Sequence, residues 1–173
     1  MKNITVRPEI QADFAAVREM LLLAFPDEDV AALVENLRQT PGYDPNLSLI
    51  AEIDARVIGH VMFTLVVIDI GRASVPALTL APLAVNPTWQ NQGIGSLLVN
   101  KGLQACRSLG HRIVTVIGHP AYYPRFGFVL ASSLNISMTH GKRDEAKMVI
   151  GLTPDALDGV RGTVHFPSTF DEI

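Results

Sequence analysis

The chain has 173 residues, 48% of them hydrophobic, and its 14 basic and 17 acidic side chains leave a formal net charge of -3. This length and apolar content predict a single domain, residues 1–173, and the slightly acidic balance disfavours nucleic acid or anionic lipid as a partner. No apolar run approaches the roughly 20 residues of a membrane span, and residues 1–4 lead into a strand pattern without the apolar segment of a signal peptide, which indicates a cytoplasmic protein.

The first half of the chain predicts a strand, two helices and a hairpin. Apolar residues at helical spacing precede Pro26, and Asp27-Glu28-Asp29 then open a second helix, where acidic side chains favour the positive helix end. His60, in the hairpin, is expected to be a structural histidine because no other histidine lies at metal-ligand spacing. The predicted elements are a strand over 4–8, helices over 13–25 and from 27 to about 40, and strands over 47–53 and 57–70.

The stretch 80–96 combines the end of an apolar strand, a turn with proline, and a glycine-rich helix start. The strand is predicted over 75–85, and Pro82 within it lacks the N–H that a ladder needs, so one side of the strand must have no partner there or carry a bulge. Gln90-x-x-Gly93-x-Gly95 follows, and an amphipathic helix is predicted over 93–109.

A glycine-rich helix start predicts an anion site. The first N–H groups of a helix have no partner within it, and residues without Cβ let a phosphate approach the backbone. A dinucleotide fingerprint would need a third glycine where Leu98 stands, and a kinase-type phosphate loop would need a lysine after Gly95, where Ser96 stands. Both of these alternatives are therefore rejected.

The last third of the chain predicts short strands around a second motif. The strand over 113–117 leads into Tyr123-x-x-x-Gly127-Phe128. Further strands are predicted over 129–131 and 148–152, followed by a short turn from Thr153 and a possible edge strand with Val164 and Phe166 that Pro167 limits.

Taken together, the order and spacing of these two motifs resemble the GNAT superfamily of acetyl-CoA-dependent N-acetyltransferases. In particular the chain looks like a bacterial branch of single-domain predicted acetyltransferases. The resemblance implies an α/β fold with a mixed, mostly antiparallel sheet of six or seven strands, splayed between two central parallel strands, with helices on both faces.

The resemblance also implies which residues bind the cofactor and act on it. Acetyl-CoA would be the co-substrate, with its acetyl group passing directly, in a ternary complex, to a primary amine of a small molecule or peptide. Tyr123 matches the general acid that protonates the departing CoA sulfur, while Tyr122 is expected to pack. The implied cofactor-binding residues are Leu83, Ala84, Val85, Gln90, Asn91, Gln92, Gly93, Ile94, Gly95 and Ser96.

Two departures from the family pattern leave the general base open. Gly118-His119-Pro120 stands where the family often has an asparagine that contacts CoA, and no acidic residue lies over 79–85. Glu28, Glu52, His119 or a water chain remain candidates.

An alternative function is a catalytically silent sensor of CoA or acyl-CoA, or an interaction subunit, and a homodimer is possible in either case. Cys106, the only cysteine, excludes an intrachain disulfide or a cysteine-rich zinc cluster, so no metal is expected. Its place in the predicted helix indicates a buried, inert thiol.

Overall fold

The computed structural model describes residues 3–173. The predicted absence of a signal peptide rests in part on Met1 and Lys2, and these two residues lie outside the described residues. Within residues 3–173, no helix is both long and apolar enough to cross a membrane. The helices are α1 (Phe14–Ala24), α2 (Asp29–Leu37) and α3 (Ile94–Ser108). The strands are β1 (Thr5–Pro8), β2 (Ser48–Ile53), β3 (Arg56–Asp69), β4 (Ser74–Val85), β5 (Ile113–Ile117), β6 (Val129–Leu130), β7 (Ile136–Met138), β8 (Lys147–Gly151) and β9 (Gly162–His165).

All of these strands join one sheet in the order β1-β2-β3-β4-β5-β8-β6, and β9 pairs with both β3 and β7. Among the strand pairs of residues 3–173, only β4–β5 and β7–β9 are parallel, which confirms the mixed, mostly antiparallel sheet. The predicted number of six or seven strands was too low, since the sheet has nine strands among residues 3–173. The strand β7 was not predicted, because three residues are too few to give a periodic pattern. The prediction that β9 is an edge strand was wrong, because β9 has a partner on each side, β3 and β7. Pro167 follows the strand and does not interrupt it.

Helices cover both faces of the sheet, as expected. Side chains alternate along β3, so Val61 and Phe63 pack with α3 while Met62, between them, packs with α1 and α2. A Cβ on Gly102 of α3 would overlap the ring of Phe63, so this glycine lets the helix lie close to the sheet. The position of α3 over β3 is therefore fixed by the core.

The two central parallel strands separate halfway along β4. Their pairing covers only Leu78–Leu80 of β4, opposite Val114–Val116 of β5. On its other side β4 remains paired with β3, but the register shifts so that Ala81 and Pro82 together oppose Met62. The bulge and the missing partner predicted from Pro82 are both present, and residues 81–85 leave an opening between β4 and β5.

A buried charged cluster holds the end of α2 against the sheet. The carboxylate of Glu9, just after β1, is fully buried and accepts two hydrogen bonds from Arg38, at 3.1 Å and 2.7 Å. Tyr43 and Ser48 also donate to it, at 3.0 Å and 2.7 Å, and His60 on β3 lies 3.6 Å away. Segments from five separate parts of the chain are thus joined at one carboxylate.

The assignment of hydrogens in this cluster follows from the carboxylate. Because an ionised carboxylate only accepts, the Ser48 hydroxyl donates to Glu9 and must accept from Nε2 of His60, 2.9 Å away. Nδ1 of His60 is buried and has no hydrogen-bond partner among residues 3–173. The histidine is structural, as predicted, but only one of its ring nitrogens is satisfied.

Candidate active site

A cavity of about 680 Å³ lies on the α3 face, beside the unpaired end of β4. Two of the predicted cofactor-binding residues do not line it. The side chain of Ala84 points to the opposite face, with α1 and α2, and Gln92 turns away to donate to the Thr88 carbonyl at 3.3 Å. The lining residues are Leu83, Val85, Trp89, Gln90, Asn91, Gly93, Ile94, Gly95, Ser96, His119, Tyr122, Tyr123 and Arg125.

The start of α3 presents bare backbone to this cavity. Asn91 and Gly93 adopt left-handed conformations, with φ of 60° and 81°, which turn the chain sharply into the helix. A Cβ on Gly95 would lie 2.9 Å from the Tyr122 hydroxyl, so glycine keeps this wall open. The first N–H groups of α3 and the positive end of its dipole suit an anion here.

Gln90 connects the loop before α3 to the unpaired strand. Its Nε2 donates to the carbonyl of Val85 at 3.1 Å. The side chain therefore links the loop before α3 to the part of β4 that borders the opening.

Tyr123 is held rigidly at the inner wall of the cavity. Its ring is 7% exposed and packs edge-on against Tyr122 and Phe128, with centroids 5.1 Å and 5.6 Å away. Gly118 makes room for that ring, since a Cβ there would overlap it. No described residue hydrogen-bonds to its hydroxyl, and burial raises the pKa of this phenol, so it stays protonated at neutral pH. Tyr123 therefore presents a protonated hydroxyl group at the cavity.

Three further lining residues were not predicted to bind the cofactor. Tyr122, expected to serve packing, also places its hydroxyl 3.4 Å from that of Ser96. Arg125 stacks over the Tyr122 ring, 4.4 Å from its centroid, and donates to the Tyr122 carbonyl at 2.9 Å. Arg125 brings a positive charge to the same cavity. Its position inside the second motif is the sequence signal from which it could have been predicted. Trp89 lies one residue before the first motif.

The three side chains considered as general base lie in different places. Glu28 is largely exposed and pairs with Arg18 at 3.1 Å, and Glu52 pairs with Arg7 at 2.9 Å. Neither lines the cavity, whereas His119 does.

Neither a metal group nor a reactive thiol is found in the part of the chain that the structure describes. No group of three or more histidine, cysteine, aspartate or glutamate side chains among residues 3–173 is placed to hold a metal ion. Cys106 is buried in α3, and burial raises the pKa of its thiol to about 12, so it stays un-ionised.

Comparison with known proteins gives consistent results. A family model described as an acetyltransferase (GNAT) domain matches residues 5–131. The Escherichia coli K12 protein YhbS, named an uncharacterized N-acetyltransferase, is 34% identical over 167 residues, which cover 96% of this chain and 98% of that protein.

Two crystal structures are similar over nearly the whole chain. That of YhbS from Escherichia coli in complex with CoA is 32% identical, with a TM-score of 0.91, and covers 99% of this chain and 93% of that one. That of a GNAT family acetyltransferase from Brucella melitensis in complex with acetyl-CoA is 29% identical, with a TM-score of 0.79, and covers 99% and 100%. The chain therefore belongs to the GNAT family of acetyltransferases.

Proposed function

We propose that the protein transfers the acetyl group of acetyl-CoA to a primary amine of a small molecule or peptide, directly and within a ternary complex. One observation carries this proposal. The unpaired end of β4, the glycine-rich start of α3 and the buried phenol of Tyr123 all border one cavity. Two proteins of similar structure hold CoA or acetyl-CoA, which supports assigning the same co-substrate here.

The cavity offers a separate contact for each part of the cofactor. The first turn of α3, from Gly93 to Ser96, would bind the pyrophosphate through its N–H groups. Arg125, at the same wall, supplies a positive charge for a phosphate. The pantetheine arm would lie along residues 83–85, whose backbone has no β5 partner and can bond to its amide groups.

The chemistry requires one bond formed and one broken. The neutral amine nitrogen attacks the thioester carbon, the C–N bond forms, and the C–S bond breaks with its electron pair leaving on sulfur. Tyr123 would donate its phenolic proton to that sulfur, and a proton leaves the amine nitrogen to a base. Backbone N–H groups near Leu83 to Val85 would stabilise the carbonyl oxygen as its charge grows.

Binding and turnover test this proposal separately. Acetyl-CoA at 100 times its Kd should stabilise the protein by about 2.7 kcal/mol, whereas NAD and ATP should not. Free thiol released from acetyl-CoA in the presence of a panel of primary amines measures transfer. Tight CoA binding with no acetylated amine would instead favour a catalytically silent sensor. We also propose that the protein is located in the cytoplasm.

A further inference from the structure

A second cavity, of about 240 Å³, lies where β4 and β5 separate. It shares no lining residue with the first cavity. The residues that line it are Thr79, Leu80, Ala81, Ile117, His140, Gly141, Phe166, Phe170 and Ile173.

The two cavities lie on opposite faces of the sheet. Leu83 and Val85 pack with α3 and line the first cavity, whereas Ala81 and Phe170 pack with α1 and α2 and line the second. Both cavities border the opening next to the last paired position of β4, Leu80. A thioester held along β4 from the α3 face can therefore present its carbonyl through the opening to the second cavity.

The walls of the second cavity are mostly apolar. Phe166 and Phe170 pack edge-on, with centroids 5.4 Å apart, and Ile117 closes the side formed by β5. At roughly 30 Å³ per water, the space equals about eight water molecules, which is enough for a ligand of about ten non-hydrogen atoms. Such walls favour a hydrocarbon or aromatic body over a polar one.

One pair of polar side chains, His140 and Asp171, lies at this apolar site. Nε2 of His140 lies 3.0 Å from the Asp171 carboxylate, and Nδ1 lies 3.1 Å from the hydroxyl of Thr139. Because the carboxylate only accepts, Nε2 carries the hydrogen and Nδ1 has the free electron pair. Thr139 is exposed and its hydroxyl rotates, so a ligand can replace it as the hydrogen-bond partner of Nδ1.

Aromatic contacts fix the imidazole in place. The His140 ring centroid lies 4.9 Å from that of Phe166 and 6.5 Å from that of Phe170. The nearby cation, Lys147, packs its side-chain carbons toward Gly141, and its ammonium group is held by Asp144 at 3.0 Å. Asp171 is thus the charged group paired with the imidazole, and its negative charge also suits an arriving ammonium ion.

We propose that this second cavity is the acceptor site, that it takes a primary amine on a short apolar or aromatic body, and that His140, oriented by Asp171, is the general base. This inference rests on the proposed function. Nδ1 of His140 takes one proton from the arriving ammonium ion and releases it to water, which leaves a neutral amine. The amine nitrogen attacks the thioester carbon and gives its second proton to Nδ1, while the C–S bond breaks and Tyr123 protonates the sulfur. The imidazolium then returns this proton to the Tyr123 phenolate by way of water.

The test measures thiol release from acetyl-CoA with matched acceptors. Phenethylamine should react far better than ethanolamine or spermidine. The rate with a peptide whose first residue is phenylalanine shows whether the acceptor is a small free amine or the N-terminus of a peptide. His140→Gln keeps the size and an N–H for Asp171 but cannot act as a base, so kcat/KM should fall by about 10²-fold or more. His165→Gln, on the exposed side of β9, is the matched control.

The pH profile separates catalysis from structure. Wild type should level off once its base is neutral, whereas His140→Gln should keep rising with pH toward the pKa of an alkyl amine, about 10. Ala81→Leu should fill the cavity and weaken calorimetric binding of phenethylamine to the CoA complex, leaving CoA affinity intact.

Each outcome bears on the inference in a definite way. Turnover of polar amines alone, or the same pH profile for His140→Gln and wild type, would overturn it while leaving the proposed function in place. Undiminished phenethylamine binding by Ala81→Leu would also overturn it. Absence of thiol release by wild type with every amine would overturn the proposed function and this inference together.

Discussion

The buried carboxylate of Glu9 gives a stability prediction with a defined size. Burial by itself would raise the pKa of Glu9, but the approach of His60 and the hydrogen bonds from Arg38 and Ser48 outweigh it and lower the pKa from 4.5 to about 2. At 1.36 kcal/mol for each pKa unit, the charged form contributes about 3 kcal/mol to the free energy of unfolding. For a domain of this size that corresponds to about 6 to 12 °C in Tm.

The sign of the pH dependence follows from the lowered pKa. The contribution is fully present above the unfolded-state pKa of 4.5 and is lost as pH falls toward the folded-state value of about 2. Glu9→Gln should therefore melt about 6 to 12 °C below wild type at pH 7, and the difference should shrink between pH 5 and pH 2. Its neutral amide also leaves Arg38, 4% exposed, without a counter-charge.

Thermal unfolding followed by circular dichroism across this pH range is the measurement. Glu145→Gln is the control, because Glu145 is largely exposed in a surface pair with Arg143, so this change should leave the melting temperature nearly unchanged. Equal melting of Glu9→Gln and wild type at pH 7 would refute the reasoning. A difference of constant size from pH 7 to pH 2 would also refute it, since it would show that the loss is unrelated to the charge.

Three further changes, with Tyr122→Phe as the control for the first of them, address the first cavity and the core. Tyr123→Phe keeps the packed ring, so acetyl-CoA affinity should persist while turnover falls by about 10²-fold to 10⁴-fold; equal rates would remove its role as acid. Tyr122→Phe, which removes a hydroxyl from the same cavity, should retain most of the turnover. Gly95→Val should abolish the thermal shift with acetyl-CoA by placing a branched side chain at the helix start, and full CoA affinity would remove this site. Gly102→Ala should cost about 1 to 3 kcal/mol against Phe63, seen as a lower denaturant midpoint with CoA affinity unchanged.

The first cavity could be predicted because its residues are close in sequence. Gly93 and Gly95 follow the end of an apolar strand, and Pro82 marks the place where that strand loses a partner, so the strand, the opening and the helix start follow from local rules. Tyr123, four residues before Gly127, was instead selected through the family resemblance, and its side chain lines this cavity. The family resemblance then indicated how these segments act together.

The buried cluster and the second cavity could not be predicted, because their members are far apart in sequence. Glu9 meets His60 only after three strands have paired, and nothing in the local pattern around Glu9 indicates a buried carboxylate. In the same way His140 meets Asp171 across 31 positions of sequence, through the folding of the C-terminal segment over β4 and β5. Tertiary contacts of this kind leave no periodic signal.

The opening between β4 and β5 has a consequence for inhibitor chemistry. Because the two cavities share no lining residue, a compound in one does not occupy the other, and two weak ligands can bind at the same time. A single molecule that joins an aromatic amine to the sulfur of CoA by a short linker would cross the sheet through this opening. Its second half would then bind at an effective concentration in the millimolar range or above, which raises affinity without any new contact. Linker length becomes the variable to optimise, because it must match the thickness of one strand layer.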